Sequence, residues 1–230
     1  MKSSIIGIAA AAVTLTSAAP ATAAETLQVL SGPAGTRAVT ISAADPIGQS
    51  FTAFTDTITS VGFQFASLNP AQANEQLTLR IFAGETLSGN ALFTSAFTLP
   101  AAINSRTPQW FDIAVNSLAI TRGQLYSLVL TTGSSARNAL VLGPDYNVQT
   151  GQFGGGDAYA GGKLMTNWSG IYANCTGAAN NCDANFRVTG DLLAAAVPEP
   201  GAWAMMIVGF LAVGGAMRAA RVRRPQLTYL

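Results

Sequence analysis

Apolar residues recur at every second position through most of this chain. Val61, Phe63 and Phe65 alternate with Gly62 and Gln64. Leu77, Leu79 and Ile81 alternate with Thr78 and Arg80, and Phe111, Ile113 and Val115 with Asp112 and Ala114. Successive side chains of a strand point to opposite faces, so a two-residue period describes strands with one face against a core. Tyr126, Leu128 and Leu130 face one way, with Leu125, Ser127 and Val129 opposite. Residues 51–58, 91–99, 139–142 and 186–188 are further candidates, punctuated by Gly84, Gly89, Asn90, Pro100, Gly123, Gly133, Gly143 and Pro144. No long segment between the two ends carries a 3.6-residue stripe. About eight strands in this length predict an all-β domain, an antiparallel β-sandwich of jelly-roll-like type, over residues 25–193.

The ends read differently. Lys2, an apolar stretch from Ile5 to Leu15 and the small residues Ala21, Thr22 and Ala23 have the order of a secretory signal peptide, assigned to residues 1–24. That apolar stretch is too short to span roughly 30 Å of hydrocarbon. At the other end, residues 194–200 form a linker containing Pro198, Glu199 and Pro200. An uncharged run, 201–217, follows, and then a basic tail, 218–230, with Arg218, Arg221, Arg223 and Arg224. As a helix the uncharged run would be about 26 Å long, short but workable as a single transmembrane span if the arginines snorkel. The arginines predict a cytoplasmic tail, and the cleaved leader puts the body outside.

Pro198-Glu199-Pro200, then Trp203-Ala204, an apolar helix and an arginine cluster resemble the PEP-CTERM sorting signal, in its PEPxxWA subtype, of Gram-negative bacteria. The resemblance covers about the last thirty residues. It implies an exosortase-type membrane enzyme as processing partner and export through the inner membrane. It also implies transient anchoring, cleavage near the Pro-Glu-Pro motif and delivery to the cell surface or an exopolysaccharide matrix. Two prolines around Glu199 disfavour helix there and favour an extended, accessible segment. Trp203 falls where an indole prefers the membrane–water interface. Looser strand-and-turn patterns, such as Gln49-Ser50-Phe51-Thr52 and Leu79-Arg80-Ile81-Phe82-Ala83-Gly84, make the body similar to β-sandwich modules of secreted bacterial proteins. Some of those modules resemble carbohydrate-binding ones.

Composition narrows the chemistry. There is no histidine, which removes His-based triads, imidazole bases and His-ligated metals. Only 10% of residues are charged, against about 25% in an ordinary soluble domain. The net charge of +1 comes from Lys2 and the tail arginines, since the body carries seven basic and ten acidic side chains. Such a surface does not suit nucleic acid. Cys175 and Cys182 in an exported chain read as a disulfide. The glycine-rich stretch 151–162 lacks a P-loop's Lys-Ser/Thr. It reads as a surface loop pinned by Tyr159, the alternative being a Ca²⁺ site built on Asp157 and backbone carbonyls. Tyr159, Trp168 and Tyr172 are candidate glycan contacts, and Trp110, at a strand start, is expected in the core. No carboxylate sits in a catalytic signature, so no catalytic residue, cofactor or bound metal is expected. The sequence reads as an exported, non-enzymatic surface or matrix protein associated with exopolysaccharide, with two alternatives: a carbohydrate-binding module at the cell surface and a carboxylate-based polysaccharide hydrolase.

Overall fold

The computed structural model describes residues 23–31, 38–67, 76–100, 107–133, 138–143, 146–147, 152–153, 157–167, 182–193 and 200–222. Residues 22–193 form one compact unit, and residues 1–21 with 194–230 another. Within the first, fourteen strands are described, and every pairing between them is antiparallel.

Seven strands make one sheet: β1 (Ala23–Val29), β2 (Ala38–Thr40), β4 (Thr57–Ser67), β7 (Gln109–Ala119), β9 (Asn138–Gly143), β13 (Asp183–Ala184) and β14 (Phe186–Leu192). The path runs β1-β14-β4-β9-β13, with β7 also on β4 and β2 also on β9. The second sheet has the order β12-β3-β8-β5-β6, formed by β12 (Leu164–Thr166), β3 (Ile47–Thr52), β8 (Leu125–Thr132), β5 (Gln76–Ala83) and β6 (Phe93–Thr98). A short pair, β10 (Tyr146–Asn147) and β11 (Gln152–Phe153), stands apart from both.

The two sheets share one core. Val61, Phe63 and Phe65 of β4 are fully buried, as are Leu77, Leu79 and Ile81 of β5 and Leu128 and Leu130 of β8. The inward registers expected from alternation are therefore the observed ones. Phe97 of β6 bridges the layers: its ring lies 6.5 Å from that of Phe65 and stacks at 5.5 Å on that of Phe111. Buried apolar area of this kind is the main driving force for such a fold.

Three expectations change. Residues 51–58 are not one strand: β3 ends at Thr52 and β4 starts at Thr57, on opposite sheets. The outer face of β8 is also covered, since Ser127 and Val129 are fully buried. There Ser127 Oγ accepts from the Thr86 backbone N–H at 2.9 Å, in the turn that leaves β5. Trp110 is not a core residue. It is only partly buried and faces outward with Asp112, while Phe111 and Ile113 of the same strand face the core.

The second unit contains a helix, α1 (Pro200–Val222). Proline suits a first helical turn, where its missing N–H has no intrahelical acceptor. Trp203, Met205, Met206, Ile207, Val208, Phe210, Leu211, Val213 and Met217 are all exposed on it. Among the described residues, no helix is long and apolar enough to cross a membrane. The expected span 201–217 lies inside a helix that continues to Val222. The leader assigned to 1–24 is outside the described residues except for Ala23 and Ala24, which begin β1.

Candidate functional site

Among the described residues, a cleft of about 360 Å³ is lined by Thr52, Glu85, Leu125, Asp157, Ala160, Gly161, Gly162 and Lys163. One wall is the segment 157–163, laid along the edge of β3. The Ser50 N–H donates to the Lys163 carbonyl at 2.9 Å, and the Lys163 N–H donates to Ser50 Oγ at 2.8 Å. Thr52 Oγ1 donates to the Gly161 carbonyl at 2.8 Å. Gly162 is required at this close approach, because a Cβ there would overlap the Ser50 carbonyl and come within 3.0 Å of Phe51 Cα. Across the mouth, Lys163 forms an ion pair with Glu85, whose other oxygen accepts from Ser50 Oγ at 3.1 Å.

Behind this wall sits a buried polar cluster. Ile47, Gln49 and Phe51 share the core-facing side of β3, so Gln49 is a polar residue in an apolar register. Its Nε2 donates to Asp183 Oδ1 at 2.8 Å, and its Oε1 accepts from the Ala184 N–H at 2.8 Å. The Tyr159 N–H is shared between Asp157 Oδ1 and Asp183 Oδ2, each at 3.0 Å. Asp183 is fully buried, and its pKa is pushed up to about 7, chiefly by that burial. The Gln49 and Tyr159 hydrogen bonds oppose the shift, while the charge of Asp157 and a hydrogen bond with it add to the rise.

Protonated, Asp183 can donate to Asp157. A carboxyl near neutral pKa is the kind of group general acid catalysis uses. Asp183 is fully buried, and its Oδ2 accepts from the Tyr159 N–H of the loop. In the unfolded chain the group would titrate near 3.8. Between that value and about 7 the folded state holds the extra proton, so this group's contribution to stability falls as pH rises through the interval. Asp183→Asn keeps a donor towards Asp157 and has no proton to lose. Urea unfolding at about pH 4.5 and about pH 8 is expected to show the wild type losing roughly 1–3 kcal/mol more than the variant. An equal pH slope in both proteins would contradict this assignment.

Of the candidate glycan contacts, Tyr159 is placed and already engaged. Its ring meets Phe186 edge-on at 5.6 Å, and its hydroxyl accepts from the Thr52 N–H at 3.1 Å. Burial raises its pKa above the usual phenol value, against the Thr52 hydrogen bond and with the nearby Asp183 charge. It pins the loop to the sandwich. Trp168 and Tyr172 lie outside the described residues. Cys182 is buried and is not a free thiol, whereas Cys175, its expected partner, is outside the described residues. For the sorting motif, Pro200 opens α1, and Trp203 and Ala204 are exposed on it. Pro198, Glu199, Arg223 and Arg224 lie outside the described residues; Arg221 falls within α1 and Arg218 is exposed there. Among the described residues, no group of three or more His, Cys, Asp or Glu is placed to hold a metal ion.

Asp183, Gln49, Glu85 and Lys163 are the residues the sequence left unassigned. Gln49 carried a signal, because a polar side chain in the inward register of a strand requires a buried partner.

No known protein family matches the chain, and no curated protein matches it. Among solved structures it is similar to a clostridial cysteine protease, Cwp84, after propeptide cleavage. Identity is 10%, the TM-score is 0.43, and the match covers 74% of this chain and 40% of that one. The chain thus spans less than half the length of that protein.

Proposed function

We propose that this protein is exported, processed at a PEP-CTERM-type tail by an exosortase-type enzyme, and left at the cell surface or in an exopolysaccharide matrix as a non-enzymatic β-sandwich. The observation that carries this reading is the helix beginning at Pro200, inside the Pro198-Glu199-Pro200 motif, with Trp203 and Ala204 in its first turns. Its described apolar side chains are exposed and, at 100° per residue, cover the whole circumference rather than one stripe. Arg218 and Arg221 follow the apolar stretch, as in the sorting signal that the tail resembles. On this reading the tail is retained transiently at the inner membrane, with Glu199 as the charged handle for processing.

The reading as a non-enzyme draws on the burial of Asp183 and the pairing of Glu85 with Lys163, which leave the cleft without an uncommitted acid–base pair among its described carboxylates. A carboxylate-based hydrolase is the weaker reading for the same reason. A carbohydrate-binding role is favoured by one specific arrangement on the seven-stranded sheet, taken up below.

Mass spectrometry of the mature protein from exosortase-containing cells tests the proposal. The expected result is a C-terminus near Pro198–Pro200. An intact chain ending at Leu230 would sink it.

A further inference from the structure

The outer face of the seven-stranded sheet contains a glycine where strand chemistry disfavours one. Gly62 lies within β4, between β14 and β7, directly opposite Arg187 on one side and Asp112 on the other. Glycine inside a strand costs about 0.5–1 kcal/mol relative to alanine and marks a close approach. Here the approach is made by an ion pair. Arg187 reaches over the bare backbone, its Nε donating to Asp112 Oδ1 at 2.6 Å and its Nη2 donating to Asp112 Oδ2. A Cβ on Gly62 would overlap Asp112 Oδ1 and sit 2.8 Å from Arg187 Cγ.

The next outward residue along β7 is Trp110. The Arg187 guanidinium carbon lies 4.7 Å from the centroid of its ring. One row the other way, Thr189, Ser60 and Ala114 stand side by side, all small. The face therefore carries a partly buried indole, a bidentate guanidinium–carboxylate pair and then a low floor of Thr, Ser and Ala.

An exposed ion pair contributes at most about 1 kcal/mol, and a cation–π contact at an exposed site about 0.5–1 kcal/mol. Because the pair is bidentate, these gains together offset the cost of the glycine, and the arrangement also leaves polar groups facing solvent. Its chemistry suits a ligand. The side chains of Arg187 and Asp112 remain 27% and 47% exposed, so N–H donors and carboxylate lone pairs still meet solvent in fixed positions. A donor beside an acceptor matches adjacent hydroxyl groups of a pyranose ring, and indole suits the ring's apolar C–H surface. The pair has no net charge, which disfavours anions, and a partly exposed sheet face suits an extended chain more than a small enclosed molecule.

We infer that the outer face around Trp110, Arg187 and Asp112 is a binding site for a neutral polysaccharide. The inference rests on the exopolysaccharide association proposed above and supplies its contact surface. It differs from a loop platform built on Trp168 and Tyr172.

Affinity electrophoresis of the full-length protein tests it, in a polyoxyethylene detergent that carries no sugar. Separate native gels would contain hydroxyethylcellulose, galactomannan or alginate. Retardation is expected in at least one neutral gel, abolished in Trp110→Ala and reduced at least tenfold in affinity in Asp112→Asn. Asp112→Asn keeps the side chain's shape, so it reports even where Trp110→Ala fails to fold. Undiminished retardation in either folded variant overturns the site while leaving polysaccharide association standing. Retardation only in alginate overturns the neutral ligand. No retardation of the wild type in any gel overturns both.

Discussion

Alanine at Gly162 is expected to destabilise the sandwich by about 3 kcal/mol and to release the segment 157–163 from the edge of β3. The new Cβ would collide with the Ser50 carbonyl, and Phe51 Cα stands behind it. These are backbone atoms of a strand already paired with β8, so the strand cannot give way. The loop must lift instead. Lifting breaks the Ser50–Lys163 contacts and the Thr52–Gly161 hydrogen bond, each worth about 1 kcal/mol net. It also opens the route to Asp183, because the Tyr159 N–H belongs to the same segment. Denaturant midpoints with amide exchange at residues 159–163 would measure both effects. Gly133→Ala is the matched control, since a Cβ there meets nothing within 4 Å. A Gly162→Ala protein as stable as this control would show that the loop does not lie as described.

Phe63→Ala carries the second large expectation, a loss of about 3–5 kcal/mol. Phe63 is fully buried on β4, opposite Phe186 of β14 and Phe111 of β7. Its ring is also 6.2 Å from that of Phe65, in an edge-on arrangement. The surrounding rings are held by strands on both sides of β4, so little collapse can fill the space, and the cavity cost adds to the lost transfer energy. Domains of this size are stable by about 5–15 kcal/mol, so a large share of the total would go. Phe93→Ala, on the edge strand β6 and only partly buried, should cost clearly less. Equal losses at the two positions would argue against a single core centred on β4.

These two sites differ in how far the sequence exposes them. Phe63 was legible because a two-residue period leaves one choice of inward face, and a slip by one residue would turn Val61, Phe63 and Phe65 to the opposite face of the sheet. The break between β3 and β4 was not legible, since Ala53, Phe54, Thr55 and Asp56 contain neither glycine nor proline. β2, β12 and β13 have two or three residues each, too few to show a period. The polar cluster needed contacts no local pattern records: Gln49 and Asp183 are far apart in the chain and meet only when β13 is placed beside β3. Trp110 looked like core by residue type, yet its neighbours Phe111 and Ile113 took the inward register and turned it out.

The pairing of β1 with β14 sets a timetable. Ala23 stands opposite Leu192 and Val29 opposite Phe186, so the first strand described has as its partner the last. Ribosomes deliver the N-terminus first, and β1 must then wait, with its edge unsatisfied, until nearly the whole body has emerged. β4 waits too, because β14 also supplies one of its neighbours. Contacts this distant in sequence make for slow folding. The sheet cannot close early around a partial chain, and the body stays threadable until β14, the last strand before the tail, has appeared.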